Sequence, residues 1–122
     1  EEGMPLVDAA IRRATFELKS GRRMGLTAIK FIHGYGSSGN GGRIRVELQK
    51  YLTRLQNKRE IRLFVPGERF EIFDQDTQKL LSACRELSRD KDLNRHNNGI
   101  TVVAAVSGKR AAGGGRYGAE KG

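Results

Sequence analysis

Val7, Ile11, Ala14 and Leu18 recur at spacings of four, three and four, which lines four apolar side chains along one face of a helix. Pro5 suits the first turn, where its missing N–H has no helical partner to lose. Ser20-Gly21 supplies a stop, and Lys19, Arg22 and Arg23 place cations where a helix C-terminus favours them. The pattern predicts a helix from Leu6 to Ser20. The period then changes. Thr27 to Ile32 is short, β-branched and aromatic, as a buried strand is, and it runs into a loop with five glycines between Gly34 and Gly42. Helical spacing returns with Ile44, Leu48, Leu52 and Leu55, while Arg43, Lys50 and Arg54, seven and four apart, share another face.

Ile61 to Val65 predicts a second strand, ended by the turn residues Pro66-Gly67. Asp74 and Asp76 stand ahead of Thr77, Leu80, Cys84 and Leu87, a spacing that predicts a third helix with a dipole-compatible acidic start. Asn97-Asn98-Gly99 marks a turn, and Ile100 to Val106 is apolar enough for a central strand. From Ser107 on, glycine dominates and the tail is expected to be disordered. Strands alternating with helices predict an α/β domain over residues 1–106, with a disordered tail over 107–122. The expected architecture is a two-layer sandwich in which helices cover a small mixed, mostly parallel sheet of βαβαβ type.

Charge adds a partner class. The chain of 122 residues carries a formal net charge of +9, and the excess is local: Arg12 to Arg62 holds thirteen Lys/Arg against three Glu, whereas Glu68 to Asn98 holds six against seven acids. Concentrated positive charge favours polyanions, so DNA or RNA is the leading partner, with a plain solvated basic surface as the alternative. A single cysteine, Cys84, forms no internal disulfide, and no apolar run reaches the ~18 residues of a membrane span. Without a signal-peptide pattern the chain is expected in the cytoplasm, and because it opens on Glu1, residues are expected to precede it.

Gly34-Tyr35-Gly36-Ser37-Ser38-Gly39 matches G-x-G-x-x-G between a strand and a helix, the setting of a dinucleotide fold. The next strand ends at Val65-Pro66 with no acid for a ribose, which weakens that reading. A Walker loop would need Lys-Ser or Lys-Thr where Asn40 follows. Two readings stay open: loop N–H groups and a helix N-terminus that bind an anion, or glycines that only permit a tight connection.

Three features together resemble the Smr (small MutS-related) family: the helix behind Gly3-Met4-Pro5, the segment Ile32-His33-Gly34-Tyr35-Gly36 leading to Arg43, and Gly99-Ile100-Thr101-Val102-Val103. They cover most of Gly3 to Val106. The resemblance implies an α/β sandwich that binds nucleic acid, with members described as DNA-nicking or RNA-cleaving endonucleases. His33, Gly34, Tyr35 and Gly36 fall on the family's His-Gly-x-Gly motif, and Arg43 on the basic residue opening its second helix. Glu2 stands where the family's first motif has a histidine.

Phosphodiester cleavage needs a group that moves protons and one that stabilises phosphorane charge, roles for which His33 and Arg43 are the candidates. Glu2 is the third catalytic candidate, as a carboxylate that orients His33 or helps hold magnesium if the chain is a nuclease. Nucleic-acid contacts are expected from Gly34, Tyr35, Gly36, Ser37, Ser38 and Gly39 in the loop, and from Arg43, Arg45, Lys50 and Arg54 behind it. Each has a structural counterpart: a histidine bonded to backbone, a tyrosine packed over its loop, a solvated charged helix face. His96 sits in a turn, Cys84 reads as core, and no Cys/His cluster has zinc spacing. Residues 66–98 exceed the usual connection to the last strand, so they are expected to be an insertion; a non-catalytic adaptor docking a ribosome or repair partner there is the rival function, and a small-nucleotide binder the remaining alternative.

Overall fold

In a computed structural model, which describes residues 4–34, 41–105 and 117–121, the first helical pattern becomes α1, Met4–Arg23. It extends beyond the predicted stop. Its end is a Schellman turn, in which Leu26 N–H reaches Gly21 O at 2.9 Å and Gly25 N–H reaches Arg22 O at 3.2 Å. Gly25, with φ of +80°, takes the left-handed position of that turn, beyond the stop expected at Ser20-Gly21.

The chain continues through β1 (Ala28–Ile32), α2 (Gly41–Asn57) and β2 (Ile61–Pro66). A 3-10 turn at Gly67–Arg69 leads to α3 (Gln75–Ala83), a second 3-10 turn at Arg85–Arg89, β3 (Ile100–Ala105) and β4 (Tyr117–Lys121). Asp74 caps α3 through its carboxylate, which accepts from Thr77 N–H at 2.9 Å.

The sheet order is β2-β3-β1-β4. β3 lies antiparallel to both β1 and β2, and only β4 pairs in parallel, with β1. This corrects the mostly parallel sheet. The crossover β1-α2-β2 does leave its strands pointing the same way, but one strand apart, and β3 fills the gap from the opposite direction. Strand β3 is central, as its apolar run predicts, because it has neighbours on both sides.

Two cores follow from strand alternation. One joins Ala14 and Leu18 of α1, Leu48 and Leu52 of α2, and Ile29, Phe31, Ile61 and Val103 of the sheet. The other joins Ala28, Leu63, Val65, Val102 and Ala104 on the opposite face to Phe70, Leu80, Cys84 and Leu87. Segment 66–98 therefore packs as an integral layer of the domain. Helices cover both faces, so three layers replace the expected two, and Cys84 is core as predicted. The disorder expected over 107–122 does not extend over Tyr117–Lys121, which form β4; residues 106–116 and 122 lie outside the described residues.

Candidate nucleic-acid interface

β1 delivers His33 at the sheet end, where the backbone after β1 and the backbone before β3 come into close contact. The Gly99 carbonyl accepts from both His33 N–H at 2.9 Å and Gly34 N–H at 3.0 Å. Gly34 has φ of +88°, and a side-chain carbon on Gly99 would sit 3.3 Å from the Gly34 carbonyl carbon. The glycines of the two motifs thus meet each other. The close approach accounts for Gly99 and the positive φ for Gly34, in neither case invoking a ligand.

The His33 ring is held from two sides: Nδ1 lies 3.1 Å from Gly34 O and Nε2 lies 3.0 Å from Thr101 Oγ1. A carbonyl only accepts, so Nδ1 donates to it and Nε2 accepts from the buried Thr101 hydroxyl. Neutral imidazole satisfies both bonds. Burial holds the His33 pKa below the ordinary histidine value and outweighs the backbone hydrogen bonds that favour the cation, while the nearby Arg45 charge pushes the same way as burial. In this conformation neither ring nitrogen is available to a phosphodiester.

The strand end is positioned from beneath by a buried ion cluster. Lys30, 4% exposed on β1, donates to Asp92 Oδ2 at 2.6 Å and to Asp90 Oδ1 at 3.0 Å. Asn97 Nδ2 donates to Asp92 Oδ1 at 2.9 Å, and Asn97 Oδ1 accepts from Gly99 N–H at 2.9 Å. A continuous chain of bonds therefore runs from Lys30 through Asp92 and Asn97 to Gly99, whose carbonyl holds His33. Burial would lower the Lys30 pKa, but the bonds and charges of the two aspartates prevail and raise it. Desolvation likewise opposes ionised Asp92, and Lys30 and Asn97 reverse it, so its pKa falls below the usual carboxylate value.

The expected cations separate into two groups. Arg43, Lys50 and Arg54 are exposed on α2, with Lys50 3.4 Å from Glu47 and the Arg54 guanidinium 5.8 Å from the Tyr51 ring centre. Arg45 instead pairs with Glu68 at 3.1 Å, and the Glu68 carbonyl accepts from His96 Nδ1 at 3.3 Å. A cavity of about 80 Å³ between α1, α2 and the end of β1 is lined by Arg13, Phe31, His33, Ile44 and Leu48. Glu2, Tyr35, Gly36, Ser37, Ser38 and Gly39 lie outside the described residues. Among the described residues no group of three His, Cys, Asp or Glu side chains could hold a metal ion, and no helix is long and apolar enough to cross a membrane.

Sequence reasoning did not single out Arg13, Thr101 or the Lys30 cluster. Thr101 lay inside the quoted Gly99-Ile100-Thr101 motif, so its alternation with Ile100 and Val102 carried a signal. Lys30 and Asp92 are 62 positions apart, and nothing local joins them. Compared with protein-family models, curated proteins and solved structures, the chain matches none of them. The Smr resemblance therefore rests on its motifs alone.

Proposed function

We propose that this chain is an Smr-like nucleic-acid-binding domain that holds DNA or RNA phosphates with Arg43, Lys50 and Arg54 of α2, beside the strand end carrying His33 and Gly34. The carrying observation is the exposure of these three cations on one helix, within a half of the chain where thirteen cations face three acids. The Lys50–Glu47 contact is an exposed pair of little net strength, so Lys50 stays competent to bind a phosphate.

Binding without cleavage is the reading favoured by the His33 geometry, since proton transfer would first require the ring to leave Thr101 or Gly34. The test is incubation with labelled single-stranded, duplex and branched DNA and RNA, with and without magnesium. The Arg43→Ala/Lys50→Ala variant should bind at least several-fold more weakly than the parent, and His33→Ala should bind equally. Strand scission by the parent that His33→Ala abolishes would overturn the non-catalytic half of the reading.

A second reading has its own observation. Ile72 and Phe73 are 42% and 82% exposed on a turn pinned by Ile72 N–H to Asn94 Oδ1 at 3.0 Å and Gln78 Nε2 to Ile72 O at 2.9 Å. A held turn presenting an aromatic side chain fits a protein-docking adaptor. Capture of a protein partner that survives nuclease treatment and is lost in Phe73→Ala would favour it.

A further inference from the structure

Between the second 3-10 turn and β3, the segment 90–97 combines side chains that anchor it with side chains that face out. Asp90 and Asp92 turn inward to Lys30, and Asn97 turns inward to Asp92. The backbone is fixed as well: Leu93 N–H bonds Asp90 O at 3.2 Å, Arg95 N–H bonds Asp92 O at 3.2 Å, and Asn94 N–H bonds Phe70 O at 2.9 Å. Asn94 and His96, on either side of Arg95, have φ of 68° and 54°. Non-glycine residues hold that region only where their surroundings fix it. Lys91, Arg95 and His96 are left exposed, and with Asp92 and Asn97 they line one open concavity of about 480 Å³.

We infer that this concavity is a second phosphate site, in which Lys91, Arg95 and His96 take a phosphodiester of the same bound strand. The inference rests on the nucleic-acid reading above and extends it to a part of the chain whose net charge pointed elsewhere. Asp92 in the wall and Asp90 behind it share the single Lys30 ammonium, and the Asn97 amide also donates to Asp92, so the cluster keeps one net negative charge, which Lys91 and Arg95 together outweigh on the outer side. His96 donates Nδ1–H to the Glu68 carbonyl, which aligns the imidazole, and the Glu68 carboxylate is paired with Arg45 at 3.1 Å. The backbone beneath Lys91, Arg95 and His96 is fixed on its inner side, and the His96 ring by its bond to the Glu68 carbonyl. Ordering them around an anion therefore loses less entropy. Continuity with the first site is covalent. His96 is three residues from Gly99, a span of at most about 11 Å, and Gly99 holds His33 and Gly34.

The test uses the full chain and a Lys91→Ala/Arg95→Ala variant, whose thermal midpoint should match the parent because both side chains are exposed. Affinity for a labelled single-stranded oligonucleotide should fall at least several-fold, and the slope of log K against log salt should become shallower by about 1.4, for two lost phosphate contacts. Inorganic phosphate, titrated in parallel by NMR, should shift the amides of 91–97 in the parent and not in the variant. Equal affinity and equal slope in the two proteins would overturn a strand site here. If the parent binds no oligonucleotide, the proposed function fails by itself. Phosphate shifts confined to 91–97 would then identify a free-phosphate site, and their absence would overturn the site as well.

Discussion

His33 and Thr101 illustrate how one residue links fold and chemistry. The imidazole is kept neutral by burial and spends both nitrogens on the two strands it joins. The folded pKa lies below the unfolded value near 6.5, so in the window between them the unfolded chain binds more protons. The stabilisation is fully present above the ordinary histidine value and is lost as the pH falls through the folded value. A proton titration of the His33 ring by NMR should therefore give a midpoint below 6.5, and stability should decline on acidification below neutrality less in His33→Gln than in the parent. A midpoint at or above the ordinary value would contradict the geometry. The sequence made His33 visible as a motif residue and left its structural reading open. It placed Thr101 inside a second motif, but its pairing with His33 is decided by strand pairing across 68 positions.

Among the elements, β1 bears the buried charge. Lys30 occupies the α3-facing side of an otherwise apolar strand, and replacing it with Met would strand Asp90 and Asp92 without their cation. Lys30→Met should cost roughly 3–5 kcal/mol in chemical denaturation, and adding Asp90→Asn and Asp92→Asn should recover part of that, a non-additivity expected of one coupled cluster. A loss under about 1 kcal/mol for Lys30→Met would mean that the cluster is not buried as described. Its pH signature runs in two directions. The Lys30 contribution is present below its ordinary pKa and fades as the pH rises through the raised folded value. The Asp92 contribution is present above the ordinary carboxylate value and fades as the pH falls through the lowered one. Amphipathic period revealed α1, α2 and α3 because packing against one core face repeats every turn. Helix ends were less legible, since Gly21 and Gly25 are both glycines near a basic run and only the backbone angles distinguish the Schellman position.

At the scale of the whole molecule, alternation of helix and strand correctly indicated an α/β domain and misjudged its topology. A central apolar strand reads alike in either direction, so nothing in Ile100 to Ala105 told that β3 enters antiparallel between β1 and β2. Segment 66–98 reads as an insertion because it exceeds the usual connection to the last strand, yet its Phe70, Leu80, Cys84 and Leu87 pack into the second core. That layer is what fixes the loop before β3 and, through Asn97 and Gly99, the end of β1. The central claim is that the exposed cations of this scaffold bind nucleic-acid phosphates. Its most direct test is the salt dependence of binding to a labelled duplex: three contacts from Arg43, Lys50 and Arg54 predict a log K against log salt slope of about −2.7 or steeper. Binding that is absent, or whose affinity is indifferent to salt, would contradict it.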